Sequence, residues 1–182
     1  MRTGVKDEHN VCMTDRELPG RLADLTGVEV LDYDCLNNAK VRVNYLEKEY
    51  DGFIWSDLLR VKESVEIMGT YASEFYSGEA CITKNMYQRG ICYYVGTEPG
   101  EELMEALLMD LAEKAGIKSL GTSEKDVELM ERENAQQQWV FAINHSDTQK
   151  KFQIDHTFHM IKGKKEGELE GFEVQIFERN IY

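Results

Sequence analysis

Helical periodicity occurs once in this chain. Leu103, Leu107, Leu108, Leu111 and Ala115 recur at 3.6-residue spacing between about Pro99 and Ala115, and Gly116 follows as a stop. Thr97 is placed as the N-cap, Pro99 suits the first turn, and Glu98, Glu101 and Glu102 complement the positive end of the helix dipole. Everything else that repeats does so with a period of two. One long helix among many short alternating runs excludes a helical bundle. It calls for a strand-rich layer with a helix laid on it.

Before the helix, alternating runs fall at 28–33, 40–45, 50–55, 64–71, 80–85 and 90–96, separated by Gly, Asn and Asp. A short helix is expected at 21–27, with Leu22 and Leu25 on one face and Gly27 as its stop. After the helix, residues 119–125 read as a connector. Further runs follow at 127–132, 136–143, 151–156 and 168–177, with Trp139, Phe141 and Ile143 sharing one face. Residues 126–182 therefore read as a small antiparallel sandwich. A domain of that size buries little surface and is expected to lean on its neighbour.

The 182 residues carry 21 Lys plus Arg against 34 Asp plus Glu, a formal net charge of −13, of which residues 126–182 hold −4. A nucleic-acid binder needs a basic stripe, and an anionic bilayer repels such a surface, so neither nucleic acid nor membrane is an expected partner. The first ten residues contain no hydrophobic core of a secretory signal, which points to a cytoplasmic location. Cys12, Cys35, Cys81 and Cys92 form no CxxC pair and are expected as buried, reduced thiols.

The chemistry-bearing motifs are few. There is no GxSxG, no phosphate loop and no HExxH. His156 and His159 lie three apart, which on a strand points them to opposite faces, so no metal site is expected. Asn144-His145-Ser146 reads as a turn. No cofactor and no catalytic residue is assigned. Trp55 follows Phe53-Ile54 at a probable strand end, where a parallel sheet would line a ligand crevice. The alternative, which weighs more, is an anchor at a domain or subunit interface. Tyr71, Tyr76, Tyr87, Tyr93 and Tyr94 would suit sugar stacking, although aromatics in strands more often serve the core.

Several segments, read in order, resemble one family. They are Thr3–Asn10, Leu18–Val30, Trp55-Ser56-Asp57-Leu58-Leu59, Tyr71–Asn85 with Gly78 inside it, Gly90–Thr97 with Tyr94 inside it, Val127–Arg132 and Phe141–Ser146. Together they resemble the C-terminal part of the family 42 glycoside hydrolases, the bacterial β-galactosidases. The resemblance makes Trp55, Asp57, Tyr71, Gly78, Gly90 and Tyr94 the family-motif or interface candidates.

The family resemblance implies an α/β plus all-β chain. Residues 1–118 would form the latter part of a flavodoxin-like trimerisation domain, likened to class I glutamine amidotransferases, and residues 126–182 a C-terminal antiparallel β domain. The retaining β-galactosidase chemistry would belong to a catalytic barrel that nothing here matches, leaving a structural, oligomer-forming portion. A carbohydrate-binding module is the alternative. An amidotransferase nucleophile is not expected, because no Cys stands on a glycine-flanked elbow. A flavodoxin-like sheet needs helices on both faces. One long helix would leave one face bare, which predicts self-association, as a trimer in the parent family.

Overall fold

The computed structural model describes residues 5–6, 9–12 and 16–181. They form two compact units, Met1–Leu111 and Ala112–Tyr182. Half of the family-resembling segment Thr3–Asn10 lies outside the described residues.

In the first unit a 3-10 turn (Gly20–Leu22) and a short helix α1 (Ala23–Thr26) precede strands β1 (Val28–Tyr45), β2 (Lys48–Val61), β3 (Glu66–Tyr71), β4 (Ala80–Tyr87), β5 (Gly90–Val95) and β6 (Thr97–Pro99). Helix α2 (Glu101–Lys114) follows. Gly27 ends α1 at φ 70°, as its position in the sequence predicts. The runs at 28–33 and 40–45 belong to one strand. β1 pairs with β2 as a long hairpin whose register shifts between Cys35 and Lys40. Leu36 turns inward there, Asn37 takes φ 51°, and Ile54 opposite takes φ 68°. Extra residues in both strands at one level bend the hairpin sharply.

The strands form a six-stranded sheet in the order β5-β4-β3-β1-β2-β6. Every strand pair in it is antiparallel. This replaces the flavodoxin-like layer expected for residues 1–118. The hairpin turns between neighbours are too short for the crossover helices that parallel pairing requires. The two edges of the sheet are consecutive in sequence. β5 ends at Val95 and β6 begins at Thr97, so Gly96 alone connects one edge to the other and the sheet must curl until they meet.

Curling also covers the sheet face that a lone helix was expected to leave bare. Val41, Val43, Tyr45, Tyr71, Tyr76, Cys81 and Ile82 form one apolar cluster, closed by Leu103 and Leu107 of α2. Val28, Val30, Leu59 and Tyr94 form another, with Leu18 against it. The Asn85 amide donates to the Asp24 and Leu25 carbonyls at 3.2 and 2.8 Å, tying α1 to β4.

Helix α2 starts two residues later than its periodicity suggested. Thr97 and Pro99 are consumed by β6, and Gly100 makes the first helical bond, its carbonyl accepting from Met104 N at 2.9 Å. Only Leu103 and Leu107 of the apolar stripe are buried, while Leu108 is exposed.

The second unit holds β7 (Gly121–Ser123), β8 (Val127–Glu133), β9 (Gln137–Asn144), β10 (Lys150–Ile154), β11 (His159–Lys162), β12 (Glu168–Leu169) and β13 (Val174–Asn180). They make two sheets, β12-β10-β7 and β11-β13-β9-β8, around Val140, Ala142, Phe152, Phe158, Leu169 and Phe177. The stretch read as a connector thus contributes β7, which pairs with β10. In β9 the buried residues are Gln138, Val140, Ala142 and Asn144, so Trp139, Phe141 and Ile143 occupy the half-buried face. Asn144 ends β9, and the turn expected at 144–147 follows directly from it. Its amide donates to the Thr148 and Glu170 carbonyls, and its Oδ1 accepts from Ser146 N.

Candidate functional site

Three of the six candidate residues meet at the closure of the curled sheet. Asp57 in β2, Tyr71 at the end of β3 and Tyr94 in β5 lie far apart in sequence but surround Gly96. The Asp57 amide donates to the Gly96 carbonyl at 2.6 Å, and Gly96 N donates to the Cys81 carbonyl at 2.8 Å. The Tyr71 hydroxyl donates to the Gly96 carbonyl at 2.8 Å and the Asp57 carbonyl at 3.1 Å. The Tyr94 hydroxyl donates to Asp57 Oδ2 at 2.8 Å. A side chain at residue 96 would press on Cys81 O and the Tyr71 hydroxyl, each 3.2 Å from the position of a Cβ, so only glycine fits this corner without displacement.

Electrostatically the cluster is a sealed polar seam. Asp57 is 1% exposed and is the sole buried acid among the described residues. Burial lifts its carboxyl above the usual range, and hydrogen bonds from Tyr94 and Trp55 pull it back only in part. Burial likewise raises the Tyr71 and Tyr94 phenols. It pushes the Cys81 thiol up to about 12 despite its hydrogen bond with Tyr71. A thiol in that state is no nucleophile at neutral pH. Of the four free cysteines, Cys81 is buried as expected. Cys12 and Cys35 are exposed instead, because neither is held in the core of the sheet.

The other candidates serve different ends. Trp55 does not cap a parallel strand. It lies inside β2, half-buried, opposite Cys35 in an antiparallel pair, so the parallel-strand crevice, the lesser of its two readings, does not arise there. Gly78, at φ 95°, shapes the turn before β4, and its N–H donates to the Tyr71 carbonyl at 2.8 Å. Gly90 opens β5 opposite Tyr87. Tyr71, Tyr76 and Tyr94 are buried and offer no stacking platform to a solute. His156 lies in the turn after β10 and His159 in β11. Among the described residues no three His, Cys, Asp or Glu side chains gather as a metal cluster would, and no helix is long and apolar enough to cross a membrane. Sequence reading missed Gly96, Cys81 and Ser56 as neighbours of these side chains. The Gly between two strand-like runs was their only signal.

Residues 1–118 match the family model described as the β-galactosidase trimerisation domain, and residues 126–179 match the β-galactosidase C-terminal domain. The chain belongs to glycoside hydrolase family 42. It is 32% identical over 130 residues to a β-galactosidase, BgaB, of a Geobacillus species, covering 71% of this chain and 19% of that protein. It is 28% identical over 193 residues to the β-galactosidase Pbg of Clostridium perfringens, covering 97% of this chain and 28% of that one. The chain thus spans between about a fifth and somewhat over a quarter of the length of such relatives. Its fold follows that of a β-galactosidase from Bacillus circulans sp. alkalophilus with a TM-score of 0.82 at 23% identity, over 97% of this chain and 28% of the other. Gan42B from G. stearothermophilus gives the same TM-score at 20% identity, over 98% of this chain and 27% of the other.

Proposed function

We propose that this chain is a non-catalytic, assembly-forming portion of a β-galactosidase. In this reading residues 1–118 are the trimerisation module, 119–125 link it onward, and 126–182 are the C-terminal β domain. Retaining hydrolysis of β-galactosides belongs to a barrel outside these 182 residues. The protein works in the cytoplasm as a homo-oligomer, with the barrel as its further partner.

The observation that carries the reading is the sealed state of Asp57. A retaining glycosidase needs two carboxyl groups about 5–5.5 Å apart across a cleft that admits a sugar. The buried acid of this chain accepts from the Tyr94 phenol and from Trp55, with 1% of its surface exposed. Its partners are those of a structural seam. The match of residues 1–118 to a model described as a trimerisation domain supports the assembly role.

Two measurements test the proposal. Chromogenic β-galactoside cleavage at high concentration of the purified chain is expected to be nil, and turnover that persists through purification overturns the reading. Sedimentation equilibrium is expected to give a mass above that of one chain. A strictly monomeric mass at the highest soluble concentration contradicts the assembly role.

A further inference from the structure

A second polar cluster stands at one end of the β-sandwich in the second unit. Along β9 and β13 the inward face is apolar through Ala142, Val140 and Phe177. Carried to the strand ends, the same face presents Gln138 and Arg179, and Glu133 of β8 joins them. Glu133 pairs with Gln138, and Gln138 with Arg179, so the three side chains form one row across three strands. Thr157, in the turn after β10 of the other sheet, faces this row. With Asn180 and Ile181 these residues line a cleft of about 510 Å³, within the usual range of small-molecule sites.

The row is built rather than incidental. Gln138 is 9% exposed, yet its amide is only half used. Arg179 Nε donates to Gln138 Oε1. A guanidinium can only donate, so the amide oxygen must face Arg179, and the nitrogen is thereby turned away from it. That nitrogen has no partner among the described residues, and it belongs to a side chain that lines the cleft. Arg179 is itself held in place. Its guanidinium lies over the Phe158 ring at 4.3 Å, and Nη1 donates to Thr157 Oγ1 at 3.0 Å. The Nη2 hydrogens are left for a ligand, on a fork whose orientation is already fixed.

The charges select the ligand. Arg179 is countered by Asp155, whose Oδ2 lies 3.9 Å away, and by Glu133 on the same row. An anion would meet two carboxylates in a chain of net charge −13, and a cation would meet the guanidinium. A hydroxyl both donates and accepts, and two adjacent hydroxyls can accept from Gln138 and Arg179 while donating to Glu133. We propose that this cleft binds a neutral sugar through neighbouring hydroxyl groups. The proposal is independent of the assembly reading, since every residue it uses lies in the second unit.

The test is a titration of the full ¹⁵N-labelled 182-residue chain with galactose and with lactose, followed by NMR. The Gln138 side-chain NH₂ and the Arg179 Nε–H resonances are expected to shift saturably with one shared midpoint. Arg179→Lys keeps the charge and loses the fork, and should raise that midpoint about tenfold or more. Glu133 is exposed, so Glu133→Ala should keep the thermal midpoint of unfolding and still weaken binding several-fold. If Arg179→Lys fails to fold, Glu133→Ala decides. The proposal is overturned if neither sugar produces a saturable shift. It is equally overturned if the sugar shifts survive in Glu133→Ala with an unchanged midpoint. Sodium acetate is the counter-probe: shifts of the same two resonances by acetate and by neither sugar would make this an anion site and overturn the proposal.

Discussion

Replacing Tyr71 by Phe removes one oxygen atom from the closure and leaves the ring in place. The ring is 1% exposed and meets Tyr76 edge-on at 4.9 Å, a contact that Phe preserves. The loss is therefore confined to the hydroxyl, which bridges the Gly96 and Asp57 carbonyls. Gly96 O keeps the Asp57 amide at 2.6 Å, so it loses one of two donors. Removing a donor from buried acceptors costs about 1–2 kcal/mol, partly offset by no longer having to desolvate a phenol. Urea unfolding should show a lower midpoint with an unchanged slope, because the surface exposed on unfolding is the same. The effect should also be local. Exchange of the Asp57 amide, which donates to the Gly96 carbonyl, and of the Gly96 amide, which donates to the Cys81 carbonyl, should accelerate more than exchange in the β1–β2 hairpin above the bend. Tyr76→Phe is the comparison, since its hydroxyl donates to the Asp34 carboxylate at 3.0 Å and not to Gly96, and it should leave the exchange of those two amides unchanged. A stability loss in Tyr71→Phe below about 0.3 kcal/mol, or no change in those two amides, would refute the view that this hydroxyl holds the edges together.

The turn joining β1 and β2 places Leu46 at φ 49° and Glu47 at φ 61°, so replacing the pair by Asn-Gly should stabilise the chain by about 1 kcal/mol, seen as a raised thermal midpoint. Asp57 has a folded-state pKa raised above its unfolded value, so the folded chain binds the extra proton and stability falls as pH rises from near 4 through the raised value. Asp57→Asn should abolish that fall and be more stable than the wild type at pH 7, as compared by urea midpoints across pH. Cys12 and Cys35 should react with iodoacetamide in the folded chain at pH 8, and Cys81 only after unfolding, which peptide mapping by mass spectrometry reads directly.

Local order was legible where a period persisted long enough to be counted. The strand runs, the short helix ending at Gly27 and the long helix ending near Gly116 all follow from spacing. What spacing hides is phase and bending. In β9 the bulky Trp139, Phe141 and Ile143 suggest the core side, yet Val140 and Ala142 are the fully buried residues, because Phe152, Phe158 and Phe177 fill the sandwich from the other strands. The break in β1 left two runs looking like two strands, since the residues between Cys35 and Lys40 lose their alternation while the chain continues along the same partner. The positive backbone angles at Leu46, Glu47 and Ile54 carried no signal, because none of these is a residue that prefers them. The site was half legible. Asp57, Tyr71 and Tyr94 came from family-like segments. That they converge on Gly96 depends on pairings between residues 14 to 37 positions apart, which no local pattern encodes.

That convergence changes why the chain should self-associate. An open sheet with one helix has a bare apolar face, and association would be the only way to cover it. A sheet whose edges meet at Gly96 turns Tyr71, Tyr76 and Cys81 inward and needs no partner for its core. Closure also decides which apolar residues stay outside. These are set by the same bend that permits closure: the register shift near Cys35 and the turn at Ile54 let the long hairpin fold back, and they expose Phe53, Ile54 and Tyr33 in doing so. A glycine at residue 54 would therefore relieve the same irregularity of β2 that lets the sheet close.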